Sequence, residues 1–134
     1  MDFYNELIES EKFCKNLGKL ILTSGKLESI IKKITQAHNK SQNLEYATLG
    51  KLVSLCKNNQ LIEDDMLEAL DFIKTRRNYL THSLFPLFNE EVDVTLLPRD
   101  NLEPEDAEYY FSNCVSELIE NMNFVIDTLG VQGT

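Results

Sequence analysis

No apolar run in this sequence approaches the roughly 18 residues that a membrane-spanning helix requires. The N-terminal stretch Met1–Lys12 is acidic, unlike the basic and apolar leader of a secreted protein, so the chain is expected to stay in the cytoplasm. Cysteine is scarce. Cys14, Cys56 and Cys114 lie far apart, form no Cys-x-x-Cys pair, and are odd in number, which argues against a disulfide framework and for reduced, mostly buried thiols. Gly-x-Ser-x-Gly is absent, and so is any Cys/His pairing suited to acyl chemistry. Gly18 and Gly25 form no phosphate-cradling loop, and His38 has no second His or Cys at ligand spacing, so neither metal nor cofactor is expected. There is no internal repeat and no low-complexity tract.

Positive charge is also in short supply. The 134 residues carry 13 Lys and Arg against 22 Asp and Glu, a net charge of −9, which disfavours nonspecific attraction to nucleic acid or anionic lipid. The balance is uneven: residues 1–60 hold nine Lys against six acids, and residues 61–134 hold four basic groups against sixteen acids. An acidic protein of this kind can still hold a locally basic cleft, but no extended basic surface can be drawn along the chain. With 43% hydrophobic and 26% charged residues, the composition is that of one globular domain spanning residues 1–134.

What is present is helical periodicity. Phe3, Leu7, Phe13, Leu17, Leu20 and Ile21 share one spacing, and Leu27, Ile30, Ile31 and Ile34 continue it. No proline intervenes, so one long helix is expected, with a weak point at Gly25. Residues 38–43 are polar and read as a loop. Thr48 can cap a short helix whose apolar face is Leu49, Leu52, Val53 and Cys56. A helix from about 64 to 84 should follow, opened by Asp64 and Asp65 at its positive end and stopped by Pro86. Glu63, Asp64 and Asp65 read as that helix start and its solvated face rather than as a cation site. Residues 87–103 read as an irregular loop with one extended piece near Val92–Leu97. Pro104 should open a last helix carrying Tyr109, Phe111, Val115, Leu118, Ile119, Met122, Val125, Ile126 and Leu129, closed by Gly130. In the Tyr109-Tyr110-Phe111 run, core packing with one exposed ring is expected. The sum is an all-α bundle of four or five helices.

The helix over 64–84 is unusual. On a wheel with Leu70 at zero, Met66, Ile73, Leu80 and Leu84 fill a sector of about 80° ending at Leu70, and Arg77 falls inside it. A guanidinium in an apolar stripe is costly unless a partner or a cleft receives it. A second stripe holds Asp71, Thr75, Asn78 and His82, all polar; Asn78 and His82 are four apart and within reach of each other.

The run Arg77-Asn78-Tyr79-Leu80-Thr81-His82, late in the third major helix of a small all-α domain, resembles the Arg-x4-6-His signature of the HEPN superfamily, the higher eukaryotes and prokaryotes nucleotide-binding domains. The likeness covers residues 13–85 in pattern and these six residues in specific motif. The approach through Leu61-Ile62-Glu63-Asp64-Asp65 is similar to the mannitol-repressor type within that group. The resemblance implies a HEPN-like bundle that forms a homodimer with its motifs facing each other across a cleft. It also implies a metal-independent endoribonuclease of a toxin–antitoxin or phage-defence system, with a nucleotidyltransferase-like antitoxin as partner. Other members have lost catalysis and act as dimeric regulatory or interaction modules. Where a tyrosine after the histidine is the modified residue in similar systems, Ser83 and Leu84 stand here.

The chemistry this implies is coherent. RNA cleaves when its 2′-hydroxyl attacks the adjacent phosphate, given a base for the proton and cations for the developing charge. His82 is the acid–base group, Arg77 the phosphate fork, and Asn78 the residue that orients His82 or bonds the substrate. Lys74 and Arg76 add positive charge, so residues 74–77 form the basic cluster of the second half, and together with Thr75 and Tyr79 they are expected on the substrate side. One tension stands out. Five positions along a regular helix place Arg77 and His82 about 140° apart. They converge on one phosphate only if the helix loosens near His82, if Arg77 reaches round, or if a second copy supplies one of them.

Overall fold

The computed structural model describes residues 3–82 and 106–132, and the expected loop, Pro86, the extended piece near 92–97 and Pro104 lie outside them. Five helices account for nearly all of the described chain: α1 (Phe3–Ile8), α2 (Glu11–His38), α3 (Leu49–Asn58), α4 (Asp64–His82) and α5 (Ala107–Gln132). There is no strand among the described residues, and the fold is the all-α bundle that the periodicity predicts. No helix among them is long and apolar enough to cross a membrane.

The first break falls elsewhere than expected. The chain leaves the helix at Glu9–Ser10, because Ser10 takes an extended conformation (φ −82°, ψ 111°) and its hydroxyl accepts from the Phe13 amide at 3.0 Å, capping α2. The helix then runs unbroken through Gly25 to His38. A Cβ at Gly25 would meet nothing within 4 Å, so this glycine answers no steric need of the bundle. The last helix likewise passes through Gly130 and ends at Gln132. Thr48 does cap α3, its hydroxyl accepting from the Lys51 amide at 3.1 Å.

α2 and α5 form the central pair and run parallel. The Ser10 hydroxyl donates to Glu108 at 2.6 Å, and Asn16 donates to Ser116 at 3.2 Å, two contacts that advance together along both helices. α3 packs on α2 and α4, α4 on α3 and α5, and α1 closes one end against α2 and α5. The core between them is built from Leu20, Leu27 and Ile31 of α2, Leu49 and Leu52 of α3, Leu70 and Ile73 of α4, and Phe111, Val115, Met122 and Leu129 of α5. Ile21 does not join it. It sits about 100° round α2 from Leu20 and is 59% exposed. Tyr109 is the exposed ring of its run, at 70%, while Phe111 is fully buried with Tyr110 edge-on to it at 5.1 Å. Of the thiols, Cys56 is buried, Cys114 half-buried and Cys14 exposed, so the expectation of mostly buried thiols holds only in part.

α3 ends in a left-handed turn. Leu61 donates to the Cys56 carbonyl at 2.9 Å across Gln60, whose φ is +53°. This is the helix-terminating motif that favours glycine, because a Cβ in this region crowds the following carbonyl. Gln60→Gly is expected to stabilise the fold by about 0.5–1 kcal/mol, the relief of strain exceeding the extra chain entropy of glycine. Thermal unfolding checks it: the midpoint should rise by a few degrees, and a fall would show that the Gln60 side chain contributes more than its backbone costs.

Candidate functional site

α4 presents Leu70, Ile73 and Leu80 to the core, and Arg77 leaves the helix on that same side. The guanidinium is received by an acid. Arg77 Nη2 stands 3.2 Å from Glu28 Oε1 on α2, with the two side chains only 21% and 24% exposed. This ion pair ties α4 to α2, two helices that otherwise meet little. Removing either partner leaves a half-buried charge uncompensated, a loss of about 1–3 kcal/mol.

The pair stands beside an open hollow of about 280 Å³ lined by Leu20, Ile21, Ser24, Gly25, Glu28 and Arg77. Its wall is mixed: an exposed isoleucine, an ion pair, a glycine, and Ser24, whose buried hydroxyl is 4% exposed as a residue and has no hydrogen-bond partner among the described residues. In this wall the Arg77 charge is answered by Glu28, so an incoming anion reaches the guanidinium in competition with that carboxylate.

The remaining expected site residues are dispersed around α4. Asn78 is exposed on the polar side of the helix. Thr75 donates its hydroxyl to the Asp71 carbonyl at 2.9 Å, and Lys74 pairs with Asp71 at 3.5 Å while its stem lies against α3 near Gly50. Tyr79 packs against the core. Arg76 points away from Arg77, toward α5. It lies over the Phe72 ring at 5.0 Å and lines a smaller hollow of about 80 Å³ with Leu80, Cys114, Glu117 and Asn121. The basic run 74–77 is thus contiguous in sequence and divided in space among three directions. His82 ends α4 with its backbone still α-helical, and its imidazole lies outside the described residues.

Glu28, Ser24 and Ile21 are the site residues that the sequence reading missed. A signal for Glu28 existed. It is the only acid between Lys12 and Leu44, and it borders the apolar set Leu27, Ile30 and Ile31, which matches it to an arginine that borders another. No group of three or more His, Cys, Asp or Glu is arranged to hold a metal ion among the described residues, and Glu63, Asp64 and Asp65 are exposed at the start of α4.

Compared with protein-family models, with curated proteins and with solved structures, the chain matches none.

Among the described residues, three groups with raised pKa values, Cys56, Tyr110 and Cys114, lie away from Arg77. Burial raises the pKa of the Cys56 thiol, against the smaller lowering effect of its contact with the Thr35 hydroxyl. Burial also raises Tyr110 and Cys114, which are hydrogen-bonded to each other beside Arg76. Cys114 is therefore not an activated nucleophile at neutral pH. Because all three folded values exceed the unfolded ones, their contribution to stability is complete below about pH 8.5 and is lost as pH rises through the folded values. The unfolding midpoint is expected to fall between pH 9 and 11 more steeply in the wild type than in Cys114→Ala. Parallel pH profiles of the two would contradict this assignment.

Proposed function

We propose that the protein is a metal-independent endoribonuclease of the HEPN type, acting in the cytoplasm as the toxin or effector of a toxin–antitoxin or phage-defence system. The observation that carries this reading is the placement of Arg77. The one arginine on the apolar stripe of α4 stands at an open hollow, anchored by Glu28, instead of folding back along its own helix. Arg77 then supplies the fork for phosphate oxygens, exchanging part of its bond to Glu28 for the incoming anion. His82 removes the 2′-hydroxyl proton. The 2′-oxygen forms a bond to phosphorus as the bond from phosphorus to the 5′-oxygen breaks, and that oxygen leaves with a proton from a second acid. Asn78, one turn before His82, orients the imidazole or bonds the substrate.

The regularity of α4 bears on how the groups meet. The helix is regular as far as His82 and Arg77 is tied toward α2, which favours the third route, a second copy supplying one of the two groups, over convergence within one chain. The third is pairing of Arg77 from one copy with His82 from another, in agreement with the dimer cleft of the HEPN resemblance. An antitoxin of nucleotidyltransferase type would then act by covering or modifying the region near the motif. The second reading, a catalytically inactive dimeric regulatory module, is favoured by the net charge of −9, which opposes a polyanionic substrate.

Purified protein incubated with total cellular RNA and a chelator decides between the two. The ribonuclease reading predicts fragments ending in 2′,3′-cyclic phosphate, reduced at least about 100-fold in Arg77→Ala and in His82→Ala. Intact RNA from a protein shown to be a folded dimer assigns the module reading instead.

A further inference from the structure

The continuity of α2 through Gly25 has an electrostatic consequence. From Lys12 to Lys40 the chain holds seven lysines and a single acid, Glu28, which is engaged by Arg77. Because the helix is unbroken, its residues keep one phase from end to end. With Leu20 at zero, Lys12, Lys15, Lys19, Lys26 and Lys33 all fall in a sector of about 60° on the outer face. All five are exposed. They follow the helix for about 30 Å at a rise of roughly 1.5 Å per residue. Lys12 lies 5.8 Å from the Tyr109 ring centre, and none of the five makes an ion pair with a described residue. A chain with an excess of nine negative charges has thus gathered five of its thirteen cations on one ridge, none of them in an ion pair with a described residue.

We propose that this ridge holds the phosphate backbone of single-stranded RNA running to the Arg77 hollow. The identity of the strand rests on the ribonuclease reading above. The ridge and the hollow lie on different sides of α2, and the surface between them carries no charge on α2 from Gly18 onward: Gly18, the exposed Leu22 and Ser29 stand there, with Gly25 at the hollow's edge. Glu120 and Asp127 are exposed on the flank of α5, the helix that runs parallel beside α2. They make the ridge one-sided, so it suits a single strand laid on the outer face of α2 better than the broad double row of phosphates of a duplex. The length fits the span of several nucleotides that such electrostatic tracks cover. The exposed Tyr109 ring beside Lys12 is the one aromatic at the ridge among the described residues, and stacking on a single ring tolerates any base, so binding is governed by the backbone and largely indifferent to sequence.

The test is fluorescence anisotropy with a labelled 15-nucleotide 2′-O-methyl RNA, which has no 2′-hydroxyl to attack. Four phosphate contacts give a slope of about −3 in log K against log salt, a loss of about 50-fold between 50 and 200 mM salt. The charge-neutral variant K15Q/K19Q/K26Q/K33Q is expected to bind at least about tenfold more weakly at 50 mM, with a shallow slope. K51Q/K57Q, on α3, should bind as the wild type, and circular dichroism of both variants verifies the fold. The proposal is overturned by equal affinity of the ridge variant, by absence of RNA binding to the wild type, or by a glutamate-rich peptide that binds the ridge where RNA does not. Binding that depends on the ridge, in a protein that leaves cellular RNA intact, upholds the ridge and removes the ribonuclease reading. Cleavage of cellular RNA with equal affinity of the ridge variant does the reverse.

Discussion

A guanidinium cannot share an apolar stripe with leucine and isoleucine unless something answers its charge, and that constraint organises the site. Arg77 cannot be neutralised by deprotonation, and it emerges between Ile73 and Leu80, both buried. Glu28 meets it at 3.2 Å, and with that contact the side of α4 facing α2 is fixed. The hollow beside the pair follows from the same geometry. α2 and α4 each pack on α3 and α5 and not directly on one another, and the space left at Gly25 between them is spanned by the ion pair.

α2 is the element through which the rest is connected. Its N-cap, Ser10, also bonds Glu108, so one serine sets both the start of α2 and its register against α5. The Asn16–Ser116 bond repeats that register further along. Beyond them the helix gives its buried stripe to the core, its flank to Arg77, and its outer face to lysines. Three faces are thereby kept distinct by one uninterrupted 3.6-residue period.

The architecture was legible in the sequence where the periodicity was strong. The α3 cap at Thr48, the apolar face of that helix, the acidic start of α4 and the single exposed ring at Tyr109 could all be read from residue types and spacing. The errors fell on glycine and serine. Gly25 read as a weak point and Gly130 as an end because glycine lowers helix propensity by about 1 kcal/mol, yet both stand inside continuous helix. Ser10 was not read as a break, although its position before Glu11 and Phe13 is that of a cap. The single long helix through Gly25 was expected, and the lysine ridge follows from the one phase it gives the residues on both sides. Arg77 was legible as a misplaced charge, but its partner was not. Glu28 lies 49 positions away in sequence, and its one signal, a lone acid bordering the apolar set of α2, does not by itself name Arg77 as its partner.

The functional account rests on Arg77 being held by Glu28 at the hollow as an energetic unit, and a double-mutant cycle tests this most directly. Glu28→Gln, Arg77→Gln and the double variant would be compared with the wild type by urea unfolding. The account predicts a coupling energy of about 1–2 kcal/mol, with the double variant more stable than the sum of the single losses implies. Additive losses, with a coupling within about 0.3 kcal/mol of zero, would contradict it: Arg77 would then be a solvated arginine, and the hollow would owe nothing to the pair.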